Sequence, residues 1–192
     1  MISLHVEPNT PPMSFEAFCK YAPPLSIALD GFVAEGPRQD YVGRYLNLNH
    51  HEGVSRLETR CTSAQALMLV RMGLFDLFQA RGLPEAHLFA QDCDQDVCTS
   101  VTILRNPHLS RGTMNPMLNR LVYMEDMLDT TSGTYPFPGD LPSLAEINWV
   151  FEPYNRFRVT GGLDKRSASD YEGVITDVEH RILAHITGHG KR

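Results

Sequence analysis

Three short apolar segments in the first half of the chain each end in acidic or histidine side chains. The segments are LSIALD, YLNLNHH and HLFAQDCDQD, and they end at Asp30, at His50 and His51, and at the aspartates that begin with Asp92. Segments with helical spacing of apolar residues separate them, notably residues 62–82. Alternating strands and helices predict an α/β fold with a mostly parallel sheet flanked by helices.

The second half of the chain has a different pattern. Residues 116–131, 141–157 and 169–188 have helical spacing, and no strand-like segment separates them. With 192 residues, the length favours one domain spanning residues 1–192. We therefore expect an α/β core over residues 25–107 and an all-helical part over residues 108–192.

Composition excludes several classes of protein. A formal net charge of −6 argues against broad, non-specific binding of nucleic acid, which requires clustered Lys and Arg. No apolar run approaches the roughly 20 residues that cross a bilayer, and the N-terminus lacks the features of a signal peptide. These observations favour a cytoplasmic protein without a membrane segment, whose four cysteines are free thiols.

The polar strand ends indicate a metal centre. Parallel strands bring their carboxyl ends to the same edge of a sheet, where ligands bind. Clustered carboxylates repel one another unless a cation neutralises them. A mixture of carboxylate and imidazole suits Mn, Fe, Co or Zn rather than Ca. Two such ions about 3.5 to 4 Å apart can activate water and hold a phosphoryl group. The sequence therefore predicts hydrolysis of a phosphoester or phosphoanhydride in a small anionic or nucleotide substrate.

A further acidic cluster lies in LVYMEDMLDTT. Glu125 and Asp129 are four residues apart, on one face of the predicted helix, and Asp126 lies between them. Part of that face is apolar, so the acids are expected to point inward or into the rim of a cleft. The pattern does not decide which of the three faces the site.

These motifs resemble those of the DHH phosphoesterase superfamily, in which an Asp-x-Asp, a lone Asp and an Asp-His-His surround two metal ions. Here Asp92-Cys93-Asp94 resembles the Asp-x-Asp, and Asp30 resembles the lone aspartate. The triplet at residues 49–51 resembles the Asp-His-His. The later family aspartate, which precedes a Thr, could match Asp126 or Asp129.

The chain departs from the family in two respects. Asn49 stands where the family has the first Asp of the triplet, and the Asp-x-Asp follows the paired histidines instead of preceding them. The arrangement would therefore be permuted. The resemblance covers residues 25–133.

The resemblance implies a set of metal ligands. His50, Asp92 and Asp94 would bind the ions, and one aspartate of the acidic helix, assigned here to Asp126, would complete the shell. Manganese is the usual metal of the family, and Fe, Co or Zn are alternatives.

The resemblance also implies catalytic roles. Asp30 would bridge or support the ions, and His51 would be a second ligand or would protonate the leaving oxygen. Arg56 and Arg60 are the arginines closest to the histidines in sequence and are the candidates for binding substrate phosphate.

Two alternative functions remain open. One is a hydrolase with a single Zn or Fe ion and a substrate without phosphate. The other is a non-catalytic α/β module whose helical half forms a protein interface, including the interface of a homodimer.

Overall fold

The computed structural model describes residues 2–40, 44–80, 85–111, 115–133 and 141–190. The described strands form one sheet in the order β1-β5-β2-β4-β3. Four of them run parallel, and β3 pairs antiparallel with β4 at one edge. The strands are β1 (Ile2–Val6), β2 (Ser26–Ala28), β3 (Arg38–Gln39), β4 (Tyr45–Asn47) and β5 (Ala86–Ala90). The predicted α/β fold with a mostly parallel sheet is confirmed.

Helices flank this sheet, and they make up the described part of the C-terminal half, as predicted. The helices are α1 (Phe15–Tyr21), α2 (Thr62–Arg71), α3 (Leu74–Ala80), α4 (Gln95–Arg105), α5 (Pro107–Arg111), α6 (Pro116–Thr130), α7 (Leu141–Val150), α8 (Glu152–Val159) and α9 (Ala168–Ile186). A 3₁₀ turn at Gly162–Lys165 precedes α9.

The sheet has a hydrophobic core on each face because its strands alternate their side chains. Ile27 and Leu88 point into the larger core, which the helices α2, α4, α6, α7 and α9 cover. The neighbouring residues Ala28 and Phe89 point into a smaller core under α1. There Phe18 is fully buried and meets Phe89 edge to face, with ring centroids 5.5 Å apart.

Two strands were not predicted from the sequence. The first lies at the N-terminus, where the alternation of Ile2, Leu4 and Val6 has the period of a strand. These residues form β1, which pairs with β5. The second lies in the segment 35–40, where two residues form β3. This short strand depends on backbone pairing with β4, and no local sequence pattern predicts it.

Two helices predicted as continuous are each divided in two. The predicted helix over residues 62–82 breaks at Gly73, whose φ of +88° is left-handed and ends α2. Its predicted end at residues 82–84 lies outside the described residues. The predicted helix over residues 141–157 breaks at Phe151, because Pro153 in the first turn of α8 has no N–H to continue α7.

No helix among the described residues is both long enough and apolar enough to cross a membrane.

The sheet order determines where the site forms. Strands β5, β2 and β4 are neighbours, and all three run in the same direction. Their carboxyl ends therefore bring the segments that begin at Asp92, Asp30 and His50 to one edge of the sheet. Helix α6 packs against α2 and α4 and adds its acidic residues to the same region.

Candidate metal centre

Asp30 lies in a strained turn directly after β2. Its φ is +23°, and the φ of Gly31 is +78°. A residue with a side chain rarely adopts a left-handed backbone, and such strain is typical of functional sites. The turn directs the buried carboxylate of Asp30 towards the histidines. Its Oδ1 lies 2.6 Å from Nε2 of His51 and 3.5 Å from Nε2 of His50.

The two histidines differ in their exposure to solvent. The side chain of His50 is completely buried, whereas 31% of the His51 side chain is exposed. Their ring centroids are 4.3 Å apart, and both Nε2 atoms point to the side of Asp30. His51 therefore lies where the site meets solvent, and His50 lies in its interior.

His50 also contacts two carboxylates from helices α4 and α6. Its Nε2 lies 2.6 Å from Oδ2 of Asp129 and 3.7 Å from Oδ2 of Asp96. Although the first pair is close, neither atom makes an aligned hydrogen bond to the described residues, and neither does Nδ1 of His50. A buried polar atom without a hydrogen bond costs about 1 to 3 kcal/mol. The geometry fits lone pairs that converge on a common cation better than it fits a hydrogen bond.

Two overlapping groups of side chains could hold a metal ion. The first is Asp30, His50 and His51, and the second is His50, Asp96 and Asp129. In each group, the candidate ligand atoms lie within 4.8 Å of one another. Nitrogen and oxygen ligands lie about 2.0 to 2.2 Å from a transition metal, so opposite ligands are about 4 Å apart. Both groups therefore have the dimensions of a coordination shell after small side-chain shifts.

Asp96 also caps helix α2. Its Oδ2 accepts a hydrogen bond of 2.7 Å from the N–H of Thr62, and its Oδ1 accepts one of 2.8 Å from the N–H of Ser63. Thr and Ser are common N-cap residues, but neither Thr62 nor Ser63 is the N-cap of α2. Cys61 is the N-cap residue and its side chain makes no capping bond. The carboxylate from α4 satisfies these donors instead.

Electrostatics favour a bound cation. Burial, together with the charge of Asp96, raises the pKa of Asp30 to about 8. Burial also raises the pKa of Asp94 and of Glu125 well above the ordinary range, and nearby carboxylates add to both shifts. Burial pushes the pKa of Asp129 upward as well, but contacts with His50 and Arg56 outweigh it and hold that pKa below its usual value. A divalent ion would stabilise the ionised form of all these carboxylates.

The resemblance implied three aspartates as metal ligands, namely Asp92, Asp94 and Asp126. In the structure they lie next to the two groups and not within them. Oδ1 of Asp92 accepts a hydrogen bond of 2.6 Å from the N–H of Cys93. Asp94 caps α4, and its Oδ1 accepts a hydrogen bond of 2.9 Å from the N–H of Val97. Asp126 accepts the N–H of Cys61 at 2.8 Å. Each carboxylate therefore has a backbone donor that accounts for its position.

The two predicted phosphate-binding arginines lie in different surroundings. Arg56 donates to the carbonyl oxygen of Asp129 at 2.7 Å and to its Oδ1 at 3.2 Å, so it reaches the candidate metal group. Arg60 pairs with Asp126, and 67% of its side chain is exposed. The structure thus brings Arg56 to the centre and leaves Arg60 at the rim.

The set of metal ligands that the resemblance implies does not include Asp96 or Asp129. A sequence signal was available for Asp129, because it directly precedes Thr130, as the family aspartate precedes a Thr. Asp96 is one of the aspartates that follow the third apolar segment, but its orientation depends on α2 packing against α4. His50, His51 and Asp30 lie together, and they come from two of the three predicted strand ends.

Comparison with known proteins gave no match to a protein family, to a curated protein or to a solved structure.

Proposed function

We propose that this protein is a metal-dependent hydrolase of phosphoesters or phosphoanhydrides that acts on a small anionic or nucleotide substrate. The observation that carries the proposal is the convergence of His50, His51, Asp30, Asp96 and Asp129 at the carboxyl edge of the parallel sheet. The DHH-like arrangement of Asp30, His50 and His51 in the sequence supports the same chemistry.

Charge supports the presence of more than one ion. Five carboxyl groups gather in this region, and Arg56 pairs with one of them. They belong to Asp30, Asp94, Asp96, Glu125 and Asp129. Bound cations would ionise the four remaining carboxyl groups, and the combined charge of these groups would then equal that of two divalent cations.

Asp30 is placed to connect two ion positions. Its Oδ1 lies near Nε2 of both histidines, so one carboxylate can serve an ion held by His51 and a second held by His50, Asp96 and Asp129. Manganese suits this mixture of imidazole and carboxylate, as Fe, Co and Zn do. Bound ions would supply a nucleophilic water and neutralise phosphate charge.

The protein side chains would perform the remaining steps. Arg56 donates from its Nη2 to Asp129, and 32% of its side chain is exposed, so it is our candidate for binding a phosphate oxygen. His51 is partly exposed, and Asp30 holds its Nε2. In a two-ion centre His51 would therefore be a ligand, and it would deliver a proton to the leaving oxygen only in a single-ion centre.

One observation favours the single-metal alternative. Nε2 of His50 belongs to both groups, and one imidazole nitrogen binds one ion. A centre built only from His50, Asp96 and Asp129 would hold one metal, and His51 with Asp30 would then act as a proton-transfer pair.

Metal content and hydrolysis together test the proposal. Protein without a histidine tag should be incubated with Mn²⁺, desalted and analysed for metal, and then assayed with bis-p-nitrophenyl phosphate and a nucleotide panel. We expect about two ions per chain and metal-dependent hydrolysis, both lost in His50→Ala. One ion per chain would favour the alternative. A wild-type protein that retains no Mn, Fe, Co or Zn would overturn both.

A further inference from the structure

Asn49 is a fully buried amide at the point where the segments after β2 and β4 meet. Its Oδ1 accepts the N–H of Gly31 at 3.2 Å and the N–H of His51 at 3.0 Å. One oxygen therefore bonds both the turn that carries Asp30 and the segment that carries the histidines. The distance between these two ligand-bearing segments is set through this atom.

The amide nitrogen of Asn49 faces only acceptors. Nδ2 donates to the carbonyl oxygen of Val33 at 2.9 Å and to that of Glu35 at 3.1 Å, and it also contacts a carboxylate oxygen of Glu52. Reversing the amide would place oxygen against three acceptors and nitrogen against two N–H donors, so the network determines its orientation. An aspartate would oppose the same three acceptors with a negative charge.

The surrounding backbone leaves little freedom for the two segments to separate. Asn47 donates from its Nδ2 to the carbonyl oxygens of Glu35 and Gly36, at 2.7 and 3.0 Å. A Cβ at Gly36 would lie 2.5 Å from a methyl carbon of Val54, so the loop after β2 lies directly against the loop after His51. Asn47 makes no bond to Gly31 or His51 among the contacts of the described residues.

We propose that Asn49 is a positioning residue that holds Asp30 and His51 at their coordinating distance, and that an amide is required there because the site has both donors and acceptors to satisfy. This inference rests on the proposed metal centre. It assigns Asn49 a role other than that of a lost ligand, although it occupies the position of the first Asp in the Asp-His-His motif.

The substitution Asn49→Asp tests whether position 49 holds a positioning residue or a metal ligand. If Asn49 is a positioning residue, aspartate should weaken Mn²⁺ affinity by about 10- to 100-fold, the usual effect of removing an outer-shell partner. It should also change the visible spectrum of the Co²⁺-loaded protein. If position 49 is a ligand position, aspartate should tighten Mn²⁺ binding, and that result would overturn the proposal.

Asn47→Ala is the matched control, because it removes three hydrogen bonds from the same loop, one of them to the backbone N–H of Asn49, but none to Gly31 or His51. We expect it to lower the thermal stability of the EDTA-treated protein to an extent similar to Asn49→Ala while leaving the Co²⁺ spectrum unchanged. Equal spectral changes in both alanine variants would mean that Asn49 acts only through general loop stability, which contradicts a specific positioning role.

A measurement on the wild-type protein decides the question if the Asn49 variants do not fold. Hydrogen exchange of the Gly31 and His51 amides should be slow in EDTA, because both N–H groups are bonded to Asn49 without any metal. Fast exchange that becomes slow only with Mn²⁺ would show that the metal positions the segments, and the proposal would fail. Wild-type protein that binds no metal would refute the proposed function, whereas slow exchange would still establish the bond to Asn49.

Discussion

The carboxylate of Asp96, in the first turn of α4, accepts the backbone N–H of Thr62 in the first turn of α2 at a distance of 2.7 Å. The same carboxylate lies 3.7 Å from Nε2 of His50. Asp96 therefore joins two helices and faces the candidate metal centre at the same time. Helix packing and metal binding depend on a single side chain.

Asp96→Asn should lower the free energy of unfolding by about 1 to 3 kcal/mol, because the amide replaces one of the two acceptor oxygens with an NH2 group that would face the N–H of Thr62 or Ser63. Asp94→Asn is the matched control, since Asn caps a helix as well as Asp does and can keep the bond to Val97. Urea unfolding in EDTA measures both. Equal losses would contradict the capping role of Asp96.

The stability of the metal-free protein should fall as pH rises from about 4 to about 8. In this window an unfolded Asp30, with its ordinary pKa of 3.8, is ionised, whereas in the folded protein burial raises its pKa to about 8 and it keeps its proton. The folded state then binds more protons, so the free energy of unfolding decreases with pH. Urea unfolding of the EDTA-treated protein at pH 5, 6.5 and 8 measures this dependence.

Asp30→Asn provides the control for that dependence. The variant cannot ionise at this position, so its stability should fall less steeply over the same pH range, and its metal affinity should be lower. A variant with the same slope as the wild type would assign the pH dependence to other groups.

Metal content should distinguish the candidate ligands of the structure from the ligands that the resemblance implies. Asp129→Asn should lose most of its Mn²⁺, because Oδ2 of Asp129 lies 2.6 Å from Nε2 of His50. Asp92→Asn should retain wild-type stoichiometry, because Asp92 lies outside both groups and accepts the N–H of Cys93. Elemental analysis after desalting is the measurement. The opposite result would restore the Asp-x-Asp as the ligand pair.

The two arginines should differ in their effects on substrate binding. Arg56→Ala should raise KM for a phosphodiester by about tenfold or more, since a charge-assisted hydrogen bond contributes about 1.5 to 3 kcal/mol. Arg60→Ala should change KM little, because 67% of its side chain is exposed and its partner Asp126 belongs to neither candidate metal group. Steady-state kinetics with Mn²⁺ saturating would show the contrast, and similar KM values for both variants would contradict it.

The sequence by itself determined the elements that local patterns encode. Apolar runs ending at Asp30, His50 and Asp92 predicted the strands β2, β4 and β5, and their parallel order predicted that the strand ends meet. Capping of α4 by an aspartate was also predictable, because an N-cap depends on residues only three positions apart.

Only the tertiary structure decided which carboxylates face the histidines. Asp94 and Asp96 are two residues apart, yet one caps its own helix and the other caps α2, because α2 and α4 pack together. Similarly, Asp126 and Asp129 lie within one turn of α6, and the rotation of the helix against the core directs Asp126 to the N–H of Cys61 and Asp129 to His50. Such orientations depend on contacts between residues about 30 to 80 positions apart in the chain, and no local pattern encodes them.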